Sequence, residues 1–179
     1  MSNTSDVTHV ATLDTSLGTI EIELYGKDAP KTVENFTGLI ERGAYDGVLF
    51  HRVVRGFVVQ AGDPQTRDAS MRSRWGTGGD SIYGGTFADE LNPGTASYQR
   101  GYAKGVVAMA NRGPNTNTSQ FFIMLADNQG LPKNYTIFGA VRQGQEVVDA
   151  LGAVKVDGRD GPIEPVEIKS ATVEKAPQE

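Results

Sequence analysis

The 179 residues are enough for one domain with a sizeable core. A net charge of -5 and a pI near 5.1 disfavour nucleic acid or an anionic membrane as the main partner, because both attract basic surfaces. The lack of cysteine excludes disulfides, thiol catalysis and cysteine-ligated metals. No apolar run approaches the ~20 residues of a membrane span, and residues 1–6 lack the apolar core of a signal peptide. We therefore expect a cytoplasmic protein.

The first elements in chain order are a tail and a hairpin. Residues 1–6 are polar and predict a short tail. Residues 10–14 and 19–25 alternate between apolar and polar side chains, which predicts two strands joined by a tight turn. The side chains expected to point inward are Ile20, Ile22 and Leu24.

A helix is predicted next. Asp28 is a candidate cap at its start, Pro30 suits its first turn, and Gly43 is expected to stop it. One face of this helix is apolar, and we expect it to cover the core as a lid. The residues of this face are Val33, Phe36, Leu39 and Ile40.

Residues 50–63 form the central hairpin of the prediction, because two β-branched runs flank Arg55-Gly56. Arg52 and Gln60 stand among these apolar residues, where burial without a partner costs several kcal/mol. Either both face solvent, or both line a groove that holds a planar polar group. For each residue taken alone, the solvent-facing interpretation is favoured.

The second half of the chain predicts more short strands. Residues 64–85 are rich in Gly, Ser and Arg and predict an irregular loop. The predicted strands cover residues 104–110, 120–125, 135–141 and 166–173, and a short helix covers 146–151. Residues 166–173 are expected to pair with the first strands and to leave a tail at 175–179. Periodicity thus indicates an all-β sandwich or barrel as one domain over 7–174.

Several motifs resemble those of the cyclophilins, and they keep the family's order along nearly the whole chain. They are residues 50–53 (FHRV), 56–57 (GF), Gln60, 62–63 (GD), 76–79 (GTGG), 81–84 (SIYG), Phe87, 89–90 (DE), 109–111 (MAN), 113–116 (GPNT), 119–123 (SQFFI) and 138–139 (FG). The resemblance implies a closed eight-stranded antiparallel β-barrel capped by two α-helices. It also implies a monomeric peptidyl-prolyl cis-trans isomerase that needs no cofactor.

The implied reaction turns the peptide bond before proline, against a resonance barrier of about 18 to 20 kcal/mol. In the twisted transition state the prolyl nitrogen loses conjugation and can accept a hydrogen bond. A fixed cationic donor there stabilises the transition state more than the planar ground states. The resemblance places Arg52 in this catalytic role, and a guanidinium suits it because it stays charged.

The resemblance also supplies a substrate pocket. It implies that the proline ring is held by Phe57, Val58, Phe122 and Leu131, and the substrate backbone by Gln60, Ala110 and Asn111. Strand alternation puts Val58 and Gln60 on one face but would send Phe57 to the core. Phe121 and Phe122 must point to opposite faces, and the family pattern puts Phe122 in the pocket.

The chain departs from the commonest family pattern at several positions. Tyr135 replaces a histidine of the proline pocket, Val58 replaces a methionine, and Gly130 replaces a tryptophan. These changes resemble bacterial members, and they imply retained activity with weak cyclosporin binding. The segment 65–75 is longer and more basic than usual, with arginines at positions 67, 72 and 74.

Other chemistry is poorly represented. With only His9 and His51, a zinc cluster or a Ser/His/Asp hydrolase is disfavoured, and His51 is interpreted as a structural histidine with a satisfied ring. Residues 76–79 lack the strand, helix and Gly-Lys-Ser/Thr of a phosphate loop. The expected partners are proline-containing peptides and unfolded proteins, whose folding the isomerase would assist. The alternative is a non-catalytic proline-peptide binding module or chaperone.

Overall fold

The computed structural model describes residues 5–177, in which eight strands form one antiparallel sheet. The strand order is β3-β4-β6-β5-β7-β2-β1-β8. The strands are β1 His9–Thr15, β2 Gly18–Leu24, β3 Arg52–Val54, β4 Val58–Ala61, β5 Val106–Met109, β6 Phe121–Met124, β7 Ile137–Gln143 and β8 Ile168–Lys175. As predicted, the last strand pairs with the first.

Helices cover a smaller part of residues 5–177. They are α1 Pro30–Glu41, α2 Ala96–Arg100 and α3 Gln145–Gly152. Two of them match the prediction, whereas the five-residue α2 was not expected from the pattern. The predicted irregular loop is partly ordered, since it contains two 3₁₀ helices, Pro64–Arg67 and Ala69–Arg74. Within this part of the chain, every helix is too short or too polar to cross a membrane.

The start of α1 differs from the prediction. Ala29 is the N-cap residue and its side chain makes no capping hydrogen bond. The Asp28 carboxylate instead accepts hydrogen bonds from Ser5 Oγ at 2.8 Å and from the Ser97 backbone at 3.1 Å. Asp28 therefore ties the chain start and α2 together. The end of α1 is as predicted, because Gly43 follows it with a left-handed φ of 71°.

The two predicted tails fall partly outside the described residues. Of the N-terminal tail, residues 1–4 are not described, while Asp6 pairs with Lys27 at 2.9 Å. Of the C-terminal tail, residues 178–179 are not described, and β8 extends to Lys175.

The main core lies inside the curl of the sheet, under α1. Ile20, Ile22 and Leu24 are fully buried there, as their alternation predicts. Aromatic rings from α1, from the turn after it and from the sheet contact one another at centroid distances of 5.0–5.5 Å. They are Phe36, Tyr45, Phe121 and Phe138. A smaller apolar cluster lies on the outer face, formed by Val58, Tyr102, Val106, Ala108, Phe122, Met124 and Ile137. This outer cluster supports the site.

The sheet is open between its edge strands β3 and β8, so the expected closed barrel is not seen as continuous strand pairing. Residues 47–50, which precede β3, nevertheless contact residues 166–168 at the start of β8. Gly47 N donates to Ile168 O at 2.7 Å, Ile168 N to Val48 O at 2.8 Å, and Phe50 N to Val166 O at 2.9 Å. The chain just before Arg52 is therefore fixed against the opposite edge of the sheet.

Candidate active site

One small cavity of about 160 Å³ on the outer face brings together all nine residues that the sequence suggested for the site. We name it the proline cavity. Its lining residues are Arg52, Phe57, Val58, Gln60, Ala110, Asn111, Phe122, Leu131 and Tyr135. They come from β3, β4, β6 and the segments around residues 110 and 131–135, which the sheet order makes neighbours.

The apolar wall of the proline cavity is firmly held. Val58 and Phe122 belong to the outer cluster and are 2% and 5% exposed. The Tyr135 ring meets Phe122 edge-on at 5.5 Å. Tyr135 is fixed in turn by Tyr102, whose hydroxyl donates to Tyr135 O at 2.7 Å and accepts from Tyr135 N at 3.1 Å. Burial raises the pKa of Tyr102 to about 12, so this hydroxyl keeps its proton.

The structure shows where two residues of the expected pocket, Phe122 and Phe57, lie. Phe121 is buried in the main core and Phe122 in the outer cluster, so the two rings point to opposite faces as the family pattern implies. The alternation argument was wrong for Phe57. This residue precedes β4, in the turn of the hairpin, where strand alternation does not apply, and it packs on the outer cluster.

Arg52 lies at the polar rim of the proline cavity and is half-buried. It is paired with Gln60 in the β3–β4 register, and its Nη1 donates to Gln60 Oε1 at 3.2 Å. Gln60 Nε2 donates onward to Gln120 Oε1 at 2.9 Å. Gln120 Nε2 donates to the carbonyls of Gly76 and Gly78 at 3.0 and 2.7 Å. A continuous chain of hydrogen bonds therefore orients the guanidinium.

Gln120 is a site residue that the sequence reasoning missed. It is only 7% exposed, accepts a hydrogen bond from Gln60 and does not line the proline cavity. The available signal was an amide placed directly before an apolar strand, where a buried polar group needs partners.

Of the three residues expected to hold a substrate backbone, Gln60 contacts Arg52, and Ala110 and Asn111 complete the lining of the proline cavity. Asn111 Nδ2 donates to Asn134 O at 2.8 Å, and its Oδ1 accepts from Gly113 N at 3.1 Å. Ala110 N donates to Gln120 O at 3.0 Å. The Asn111 side chain is therefore held both by its own segment and by residue 134, and Ala110 and Asn111 both line the proline cavity.

The neighbour of Arg52 in the chain, His51, is 9% exposed. Its Nδ1 is buried and has no hydrogen-bond partner among residues 5–177, so the expectation of a satisfied ring fails at this nitrogen. Burial lowers the pKa of His51; Asp63 opposes this shift and Arg52 adds to it. The imidazole is therefore neutral near pH 7.

The glycine-rich segment 76–79 has a structural role. The fully buried Asp63 carboxylate accepts hydrogen bonds from Gly76 N at 2.7 Å and Gly78 N at 3.1 Å. It also accepts from Gln65 N at 2.8 Å, so one side chain fixes both ends of segment 65–78. In the described part of the chain, no group of three or more His, Cys, Asp or Glu is placed to hold a metal ion.

An open curled sheet of eight antiparallel strands, with an arginine at the rim of an outer apolar cavity, defines the class of protein. The family model described as cyclophilin type peptidyl-prolyl cis-trans isomerase matches residues 10–173. The chain belongs to this family.

Relatives with solved structures or curated names resemble the chain over most of its length. The peptidyl-prolyl cis-trans isomerase-like 1 of Rhizopus delemar is 50% identical over 148 residues, which cover 83% of this chain and 82% of that protein. The peptidyl-prolyl cis-trans isomerase CYP18-2 of Arabidopsis thaliana is 47% identical over 157 residues, covering 88% of each. These fungal and plant relatives lend no support to the bacterial resemblance.

The fold is matched by the crystal structure of a Cryptosporidium parvum cyclophilin type peptidyl-prolyl cis-trans isomerase. That chain has a TM-score of 0.83 and 33% identity, and the match covers 95% of this chain and 99% of that one. A second structure of the same protein, in the presence of the dipeptide Ala-Pro, has a TM-score of 0.81 and 33% identity, and covers 92% and 98%.

Proposed function

We propose that the chain catalyses cis/trans isomerisation of X-Pro bonds in flexible protein segments, with Arg52 as the catalytic residue. One observation carries the proposal. A half-buried guanidinium, oriented by Gln60, stands at the rim of a cavity that has an apolar wall and is small enough to select a single compact side chain.

In the proposed mechanism, the proline ring enters the cavity against Phe122 and Val58, while the substrate backbone follows residues 110–111. Arg52 then faces the prolyl nitrogen. When the peptide bond twists, this nitrogen becomes pyramidal and accepts a hydrogen bond that it cannot accept in either planar state. Only the transition state gains from the contact, which is the condition for a lower barrier.

The proposed substrates are proline-containing segments of unfolded or flexible chains. The related structure obtained in the presence of Ala-Pro supports a small proline-bearing ligand. We also infer that the curled sheet behaves as a closed barrel, so that the site sits on a rigid wall. Support comes from the three backbone hydrogen bonds between residues 47–50 and 166–168.

The test is Arg52→Ala, assayed by a proline-peptide isomerisation rate. A hydrogen bond from a charged group contributes about 1.5 to 3 kcal/mol, so we expect kcat/KM to fall roughly 10- to 100-fold while the fold survives. Arg55→Ala is the matched control, because Arg55 lies in the same hairpin and donates to Ala153 O away from the proline cavity. A folded Arg52→Ala protein with unchanged activity would refute the role of Arg52. A wild-type protein that binds proline peptides without turnover would favour the non-catalytic binding module.

A further inference from the structure

A second cavity, of about 340 Å³, lies beside the proline cavity and shares Arg52 and Gln60 with it. We name it the cationic cavity. Its rim includes Arg72, Trp75, Asp157 and Arg159. A chain bound in the proline cavity has this larger cavity within reach of its neighbouring residues, because two side chains form part of both walls.

The charge of the cationic cavity opposes that of the molecule. Arg52, Arg72 and Arg159 line it with a single carboxylate, Asp157, whereas the whole chain carries a net charge of -5. Asp157 is already engaged, since Arg72 Nη2 lies 2.8 Å from its Oδ2 and Oδ1 accepts from the backbones of Arg159 and Gly161. The exposed Arg159 guanidinium has no ion-pair partner within residues 5–177.

Of the three arginines in segment 65–75, only Arg72 lines this cavity. Arg67 donates to the carbonyls of Gly43, Ala44 and Asp46, at the end of α1. Arg74 does not line the cavity, whereas Arg72 does. The positive charge therefore comes from two separate segments, around residues 72 and 159, that converge beside Arg52.

The aromatic wall of the cationic cavity is rigid. Trp75 Nε1 donates to the carbonyls of Gln65 and Asp68 at 3.1 and 3.2 Å, which fixes the indole ring. The Arg72 guanidinium lies over that ring, 5.7 Å from its centroid. A bound side chain would thus meet positions that are set before it arrives.

We propose that the cationic cavity binds a carboxylate side chain of the substrate, so that the chain prefers X-Pro bonds with an Asp or Glu within a few residues of the proline. This inference rests on the proposed isomerase function and adds a substrate class to it. The Arg159 guanidinium is the main contact, with Arg72 sharing its charge between Asp157 and the ligand.

The experiment compares peptides that contain one X-Pro bond and a single Glu, placed two or three residues before or after the proline, with matched Gln peptides. Exchange spectroscopy measures isomerisation directly and avoids the preferences of a coupling protease. At low salt we expect one Glu position to raise kcat/KM about two- to fivefold over its Gln counterpart, as for an exposed ion pair. The ratio should approach one as salt screens the charges.

Two variants assign the effect. Arg159→Gln should bring the Glu-to-Gln ratio close to one, and Arg74→Gln, a basic residue of the neighbouring segment outside the cavity, should leave it unchanged. Equal rates for Glu and Gln at every position, with both accelerated, would overturn the carboxylate site and leave the isomerase function intact. An unchanged ratio in Arg159→Gln would also overturn the site. The absence of acceleration for all peptides would overturn both proposals.

Discussion

At the scale of single residues, Gln120 connects Gln60 in β4 to the glycine-rich segment 76–79. Its amide accepts one hydrogen bond from Gln60 and donates two to the carbonyls of Gly76 and Gly78. The hydrogen bonds run from Arg52 to Gln60 and from Gln60 to Gln120, so Gln120 acts on the guanidinium through Gln60.

We expect Gln120→Ala to reduce kcat/KM about tenfold, because Gln60 loses its support and Arg52 its fixed orientation. The free energy of unfolding should fall by about 1 to 3 kcal/mol, since two half-buried carbonyls lose their donor. Denaturant unfolding and the isomerisation assay measure the two effects. Gln129→Ala is the control, as that exposed amide makes one 3.3 Å hydrogen bond to Arg100 O. Wild-type activity in folded Gln120→Ala would contradict a positioning role.

Gly130 gives a second residue-scale prediction. Where sensitive cyclophilins have a tryptophan against cyclosporin, this chain offers no side chain, so we expect weak binding of the drug. A Cβ at Gly130 would meet only Asn128 Oδ1, at 3.6 Å, which is ordinary contact. Gly130→Trp should therefore fold and lower Kd about tenfold or more, by buried area and one hydrogen bond. Calorimetry checks both proteins, and nanomolar binding by the wild type would contradict the expectation.

At the scale of elements, segment 65–78 depends on the buried Asp63. Three backbone N–H groups, from Gln65, Gly76 and Gly78, donate to this carboxylate. The segment carries Arg72 and Trp75 of the cationic cavity, so its attachment determines where that cavity lies.

Asp63→Ala should lower the free energy of unfolding by about 3 kcal/mol or more, because three amide donors lose a charged acceptor together. Hydrogen exchange should increase at Gly76 and Gly78 before it increases in the strands. Asp68→Ala is the matched control: Asp68 caps the second 3₁₀ helix of the same segment but is exposed, so its loss should cost no more than about 2 kcal/mol. Similar exchange in both variants would argue against the special role of Asp63.

At the scale of the whole molecule, His51 couples stability to pH. Its pKa is lowered by burial, so the unfolded chain binds a proton at higher pH than the folded one. The stability is fully present above the unfolded value of 6.5 and is lost as pH falls toward the lower folded pKa. Acidic groups with lowered pKa values act only below about pH 4, outside this window.

Unfolding free energies at pH 7.5, 6.5 and 5.5 test this coupling. Wild type should lose stability across the series, and His51→Gln should lose less. The remaining slope belongs to His9, whose pKa is lowered by burial and by Lys175. Identical slopes for wild type and His51→Gln would show that His51 does not carry the effect.

Much of the fold and site followed from local patterns and motifs. The alternation of Ile20, Ile22 and Leu24 predicted a buried face because strand geometry is local, and the family resemblance along the whole chain suggested the nine residues that line one cavity. The missed features depend on distant contacts. Asp28 looked like a helix cap but accepts hydrogen bonds from Ser5 and Ser97, and Arg72 and Arg159 come to line one cavity only through folding. No periodicity in the chain encodes such pairings.

The hydrogen bonds between residues 47–50 and 166–168 also bear on self-association. A sheet with two bare edges presents unpaired backbone groups that template intermolecular strand addition and domain exchange. Here residues 47–50, before β3, form hydrogen bonds with residues 166–168 at the start of β8. Val53 N in β3 also donates to Asp160 O at 2.7 Å. The contacts that hold the strand bearing Arg52 therefore also protect the protein against aggregation. Weakening them to make the site more mobile would expose unpaired backbone groups at the edge of the sheet.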